Sequence, residues 1–279
     1  MKSPTFDTTR FSKYFTCYTA TNSRRLWLYA AIILITWLLV CILPPVMTLF
    51  SSYSYALPAD PAWETEGTWA FLLLMLFTGL SGAMFYSSFN PRGARVQVLT
   101  APASSFEKFL TWFIIYFFGM IAVFYASAFI ADLIRVGVVK AFAACPSTAR
   151  PISALEIFGL AIDKPFDQIN APDVLQWIGF YGLALSNFAI FALGSIVFYA
   201  KNAFIKTIGC LVALNAALSY IAFASFKVFF GNSSFEPRFD PEVTITSNCT
   251  LAAISIIVFA FLLWLGYRRF KEADIVNRW

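Results

Sequence analysis

Six stretches of this chain contain no Asp, Glu, Lys or Arg, and each is 19 to 26 residues long. They run Trp27 to Phe50, Trp69 to Phe89, Phe109 to Ala131, Val174 to Tyr199, Thr207 to Phe226 and Cys249 to Tyr267. A helix needs about 20 apolar residues to cross a hydrocarbon core about 30 Å thick. Inside lipid the backbone must satisfy its own hydrogen bonds, so only helices or closed barrels cross it. These runs are continuous rather than alternating, which selects helices. The predicted fold class is an all-α membrane protein with six transmembrane helices.

Composition agrees with that solvent. Of the 279 residues, 59% are apolar and 13% charged, with 32 Phe and no His. A soluble domain averages about 45–50% apolar and about 25% charged. The balance excludes a soluble globular enzyme, a disordered protein and a disulfide-stapled secreted domain. Cys17, Cys41, Cys145, Cys210 and Cys249 are odd in number and lack C-x-x-C spacing, so they read as small hydrophobes. The first span is longer than a signal peptide's apolar core and has no small-residue cleavage site after it, which predicts a retained helix. Pro44 and Pro45 predict a kink at its end. Lys206 and Lys227 bracket the fifth span, and either can snorkel to the interface.

With the N-terminus cytoplasmic, 14 of the 20 Lys and Arg fall inside, while 11 of the 15 Asp and Glu fall outside. The positive-inside rule then predicts that both termini are cytoplasmic, with the inverted arrangement as the alternative. The net charge of +5 is a topology signal, and no nucleic-acid partner is expected. The predicted organisation is an entry helix over 1–26, a membrane domain over 27–267 and a basic tail over 268–279.

In the entry segment Phe11, Tyr14, Phe15 and Tyr18 recur at i, i+3, i+4 and i+7, one helical face. Lys13 falls opposite, and Asp7 is placed to cap the start. This predicts a short amphipathic helix in the interface plane. In the first cytoplasmic loop, Asn90 to Lys108, the run Ser104-Ser105-Phe106-Glu107 is a capping-box pattern. The third membrane helix is therefore expected to begin near Ser105. The longest polar segment, Ile134 to Asp173, is placed outside, with a second capping-box pattern from Ser153 to Glu156 and a short helix over Ala154 to Ile162. Gly231 to Asn248 contains Pro237 and Pro241 and shows no helix signal. Asn232-Ser233-Ser234 and Asn248-Cys249-Thr250 match a glycosylation acceptor pattern that matters only in a secretory pathway.

The chain lacks a GxxxxGK[ST] run to hold nucleotide phosphates. Without His it lacks imidazole chemistry, and no span carries two carboxylates. No catalytic, cofactor or metal residue is assigned, and the chain is not expected to be an enzyme. Asn187 and Asn215 are the polar candidates deep within spans. Asp132 and Arg135, at i and i+3 where the third helix ends, are expected to form an ion pair. Six apolar helices with no energy-coupling residues suggest one part of a larger machine.

The stretch Val98-Leu99-Thr100-Ala101-Pro102-Ala103-Ser104-Ser105-Phe106-Glu107-Lys108-Phe109-Leu110 resembles a signature between the second and third spans of ABC-2 type transporter permeases. Tyr267-Arg268-Arg269-Phe270-Lys271-Glu272 resembles the family's ending. Arg10 to Tyr14 and Asn22 to Arg25 are similar to its pre-membrane helix. The long outer segment and the short, polar Gly231 to Asn248 segment would place the chain in a divergent bacterial branch. The resemblance implies a six-helix exporter subunit in the bacterial inner membrane. It would pair with a second permease subunit and dock a cytoplasmic ABC ATPase that binds the ATP. A mostly aromatic and aliphatic lining would suit a hydrophobic or amphipathic substrate. By carry-over, Arg92, Arg95, Ser104, Glu107 and Lys108 form the ATPase-coupling loop. There Arg92 and Arg95 meet acidic ATPase surface, and Ser104 and Glu107 hold the helix start. The alternative is a non-transporting polytopic scaffold or sensor.

Overall fold

The computed structural model describes residues 6–50, 62–86, 101–142, 171–198, 205–211 and 241–276. Among these there is no strand. Helix α1 is Thr8–Phe50 and α2 is Ala62–Phe85. Helix α3 runs from Ser105–Phe113 through a π-helical stretch, Ile114–Gly119, into Met120–Phe142. Helix α4 is Ala171–Val197, a short helix α5 covers 205–211, and α6 is Pro241–Val276.

Among the described residues three helices are long and apolar enough to cross a membrane: Thr8–Leu43, Ser105–Val138 and Ala253–Glu272. Leu72–Phe85 and Ala184–Val197 are shorter apolar helices. The outward faces are oily: Leu28, Ile32, Ile35, Leu39 and Leu43 form an exposed stripe on α1, and Ile254, Ile257, Phe261 and Trp264 form one on α6. Four charged side chains on α3, Glu107, Lys108, Asp132 and Arg135, are buried. A water-soluble fold does the reverse, and these features mark an integral membrane protein.

Contacts fix the run of each helix. Tyr29 Oη donates to the Phe77 carbonyl at 3.0 Å, and Phe85 lies against Trp112 with ring centroids 6.2 Å apart, so α2 descends beside the ascending α1 and α3. Tyr125 and Tyr181 share a hydroxyl hydrogen bond of 2.6 Å and Phe85 meets Phe188 at 5.6 Å, so α4 also descends. Ser186 Oγ donates to the Ser255 carbonyl at 2.8 Å and Phe270 reaches Trp112, so α6 descends alongside α4. Consequently the starts of α1 and α3 and the C-terminal part of α6 gather at one end of the bundle, here called its base. Val197 ends α4 near that base, whereas Pro241 opens α6 toward the other end.

Five of the six apolar stretches lie on described helices for most of their length. Of the fifth, residues 207–211 lie on α5 and the remainder falls outside the described residues. Several boundaries differ from expectation. Thr8–Phe50 is one helix of 43 residues with no break at Leu26, about 65 Å long at 1.5 Å per residue. The entry segment is thus the first part of the helix that carries the first span. Asp7 caps it, its Oδ1 accepting from Thr9 N at 2.9 Å. The helix also continues through Pro44 and Pro45, as membrane helices can when neighbours re-satisfy the freed carbonyls. Helix α3 carries on to Phe142 and α4 opens at Ala171, so the expected outer segment shrinks at both ends. Its proposed helix over 154–162 lies outside the described residues. Helix α6 begins at Pro241, inside the segment that showed no helix signal. A proline read as a breaker is instead the first helical residue, where its missing N–H costs nothing.

The π-helical stretch Ile114–Gly119 was not anticipated. Widening a helix by one residue leaves a carbonyl short of its intrahelical donor. Here Ser81 Oγ on α2 donates to the Tyr116 carbonyl. Two small residues flank that donor's turn. A Cβ on Gly79 would lie 3.1 Å from Asn187 Nδ2, and one on Gly82 would run into the Phe188 carbonyl oxygen. Small residues let membrane helices approach this closely. The approach is tied by Asn187 Nδ2, which donates to the Met75 carbonyl at 2.7 Å and to Thr78 Oγ1 at 3.2 Å.

Candidate functional site

The base of α3 collects the features that chemistry could use. Its first residues carry the capping box in full. Ser104 Oγ accepts from Glu107 N at 3.2 Å, and Glu107 Oε2 accepts from Ser104 N at 2.8 Å. The helix begins at Ser105, where the sequence pattern puts it. Two orphan donors of the first turn are satisfied, and the negative side chain suits the positive end of the helix dipole.

Glu107 does more than close the box. Arg10 on α1 grips it with two bonds, from Nε to Oε2 at 2.9 Å and from Nη2 to Oε1 at 2.6 Å. Asp7 N, at the cap of α1, also donates to Oε1 at 3.0 Å. One carboxylate therefore ties together the starts of two helices nearly 100 residues apart in the chain. The planar guanidinium fork makes this a charge-assisted, bidentate contact. The Arg10 bonds, helped by the Ser104 and Asp7 amides and opposed by desolvation, hold the Glu107 carboxyl down at about 2. This group lies ahead of the charge-free stretch that begins at Phe109.

Above the carboxylate sits a layer of rings centred on Trp112, which is fully buried. Tyr18 of α1 lies 6.3 Å from it, Tyr86 at the end of α2 lies 5.8 Å away, and Phe270 of α6 lies 5.2 Å away. Phe109 meets Tyr267 at 5.1 Å, and Tyr18 and Tyr116 share a hydroxyl contact of 3.2 Å. Ring pairs of this geometry add to simple burial. The base of α3 is thus in contact with α1, α2 and α6 through a single stack.

Tyr14 and Tyr18, from the aromatic face of the entry segment, are part of this stack. Tyr18 is buried, and Phe11, Tyr14 and Phe15 are half-buried, while Lys13 is exposed. The face was expected to rest on lipid; Tyr14 and Tyr18 instead pack on protein, because the rings at the base of α3 offer them an apolar partner. Lys108 needs a correction too. It was assigned to a loop that touches a partner, yet it is 0% exposed, so it belongs to the interior of the helix base. Arg92 and Arg95 lie outside the described residues.

At the far end of α3, Arg135 donates from Nε and Nη2 to Asp132 Oδ1 at 2.9 and 2.7 Å. Both side chains are buried, so the pair is shielded rather than open to the interface. The 23 residues of Phe109 to Ala131 separate the charged groups at the two ends of α3. They span about 35 Å, close to the thickness of a bilayer core.

Arg10 was absent from the sequence-based site. Nothing local distinguishes it, since its partner is 97 residues away. Ser81 and Gly82 were also missed. Their signal was legible as a cluster of small residues, Gly79, Ser81, Gly82 and Ala83, in an apolar span. Among the described residues no group of three or more Cys, Asp or Glu side chains is arranged to hold a metal. Compared with known proteins, the chain matches no family model, no curated protein and no solved structure.

Proposed function

We propose that this chain is the membrane subunit of an ABC-type exporter of the ABC-2 kind, in a bacterial inner membrane with both termini in the cytoplasm. A separate cytoplasmic ATPase hydrolyses the ATP, and a second permease subunit completes the pathway. The observation that carries the reading is the hub at the base of α3. A displacement applied to the loop before Ser104 meets a capped helix start, passes to α1 through Glu107 and Arg10, and reaches α2 and α6 through Trp112. A rigid start transmits a push where a frayed one would absorb it. The cytoplasmic loop carrying Arg92 and Arg95 leads directly into this start, and those two residues face acidic ATPase surface. The π-helical stretch lies just above the hub, where such segments often serve function. The substrate in this reading is hydrophobic or amphipathic, in keeping with the aromatic and aliphatic composition of the spans.

Affinity purification of the tagged chain in mild detergent tests the reading. The expected result is an ATPase subunit retained with it and ATP hydrolysis stimulated by the complex in lipid. Reversing both charges, Arg92→Glu with Arg95→Glu, is expected to abolish that stimulation while leaving membrane insertion intact. Purified complexes without any nucleotide-binding partner, or full stimulation in the reversed variant, contradict it. The same hub in a chain that binds no ATPase would serve a scaffold or sensor.

A further inference from the structure

We propose that Arg24 with Arg25 on α1, and Arg268 with Arg269 on α6, hold the headgroups of anionic phospholipids at the base of the bundle. All four guanidinium-bearing residues are exposed. Each pair stands within five residues of an exposed tryptophan: Trp27, 76% exposed, after Arg24 and Arg25, and Trp264, 53% exposed, before Arg268 and Arg269. The two helices run in opposite directions, so the order in the chain is reversed. In both cases the arginines lie on the base side of the ring and the apolar stripe lies on the other. Leu28 and Ile32 continue above Trp27, and Phe261 and Ile257 continue above Trp264.

Both pairs lie near the Trp112 layer. Tyr18 and Phe270 pack on opposite sides of the Trp112 layer. Arg24 and Arg25 follow Tyr18 by six and seven residues, and Arg268 and Arg269 precede Phe270 by two and one. All four are therefore within about 11 Å, two helical turns, of that layer along their helices.

The ligand is specified by the juxtaposition. A guanidinium fork matches a phosphate oxygen pair, a tryptophan prefers the boundary between headgroup and acyl chain, and the exposed stripe above accepts an acyl chain. A soluble anion or an acidic peptide fills only the first of these. Arg268 lies over the Trp264 ring, 5.6 Å from its centroid, which orients one cation toward the boundary. Glu272 is the acid nearby, 3.6 and 3.5 Å from Arg268 and Arg269. Exposed pairs at this spacing hold weakly, so a lipid phosphate displaces Glu272. Net positive charge favours an anionic headgroup over a zwitterionic one, whose own cation cancels its phosphate.

The test needs no ATPase, so its failure leaves the transport proposal standing. The full chain in neutral detergent is titrated with phosphatidylglycerol or phosphatidylcholine, and bound lipid is counted by native mass spectrometry. The expected result is at least tenfold tighter retention of phosphatidylglycerol. The variant Arg24→Gln, Arg25→Gln, Arg268→Gln, Arg269→Gln is expected to lose that preference, and lysines at the same four positions to keep part of it. Equal retention of the two lipids by the unaltered chain overturns the proposal, and so does an undiminished preference in the glutamine variant. If the glutamine variant aggregates, the comparison of the two lipids on the unaltered chain decides alone.

Discussion

Replacing Gly82 with leucine is expected to destabilise the packed helices strongly. The glycine faces the backbone of α4, where a Cβ would meet the Phe188 carbonyl oxygen and come within 3.1 Å of Ala192 N. These are backbone atoms of a packed helix, so neither can swing aside. Parting α2 from α4 loses the Asn187 bonds to Met75 and Thr78 and disturbs the Ser81 bond that supports the π-helical stretch. Overpacking of this kind costs about 3 kcal/mol, a large share of a stability that is about 5–15 kcal/mol in folded domains. Thermal unfolding in detergent is expected to fall by roughly 6 °C or more, with reduced yield. Gly137→Ala is the control, because nothing lies within 4 Å of its added Cβ. There the gain in helix propensity, up to about 1 kcal/mol, is expected to leave the midpoint unchanged or higher. A Gly82→Leu chain that melts with the unaltered one would show that α2 and α4 do not approach as described.

Removing the Glu107 side chain is the second large effect. Glu107→Ala deletes one arm of the capping box and the acceptor for Arg10 and for Asp7 N. Breaking a buried pair by removing one partner costs about 3–5 kcal/mol. Arg10 keeps 31% of its side-chain exposure and can turn to water, so the cost here is that of the lost cap and charge-assisted hydrogen bonds, about 2 kcal/mol. Hydrogen exchange is expected to rise at the starts of both α1 and α3, since one carboxylate serves both. Loss confined to α3 would contradict the tie between them. The same group sets an acid limit. Its folded pKa, about 2, lies below its ordinary value of 4.5. The carboxylate therefore stabilises the fold fully above about 4.5 and loses its contribution as the pH falls toward 2. Glu107→Gln is expected to flatten that dependence.

The helices and the start of α3 were open to reading from the chain because each rests on local chemistry. Continuous apolar runs specify spans, and Ser104 with Glu107 specifies a cap three residues apart. Contacts between distant segments were not open in the same way. Nothing near Arg10 points to Glu107, and nothing near Ser81 points to a carbonyl freed by a helix widening 35 residues later. Tyr14 and Tyr18 were recognised as one face, but periodicity gives a face without its neighbour. Rings that pack on lipid and rings that pack on Trp112 show the same spacing. Pro241 shows the opposite failure: a residue that ends helices in their interior opens one at its first position.

The central claim is that the start of α1 and the C-terminal part of α6 lie at one end of the bundle, on the same side of the membrane. Single cysteines at Thr9 and Lys271, both exposed, test it after the five native cysteines are replaced. In sealed vesicles of known orientation, a membrane-impermeant maleimide is expected to label both positions from the cytoplasmic side only. Labelling of the two from opposite sides would contradict the fold and the function proposed from it.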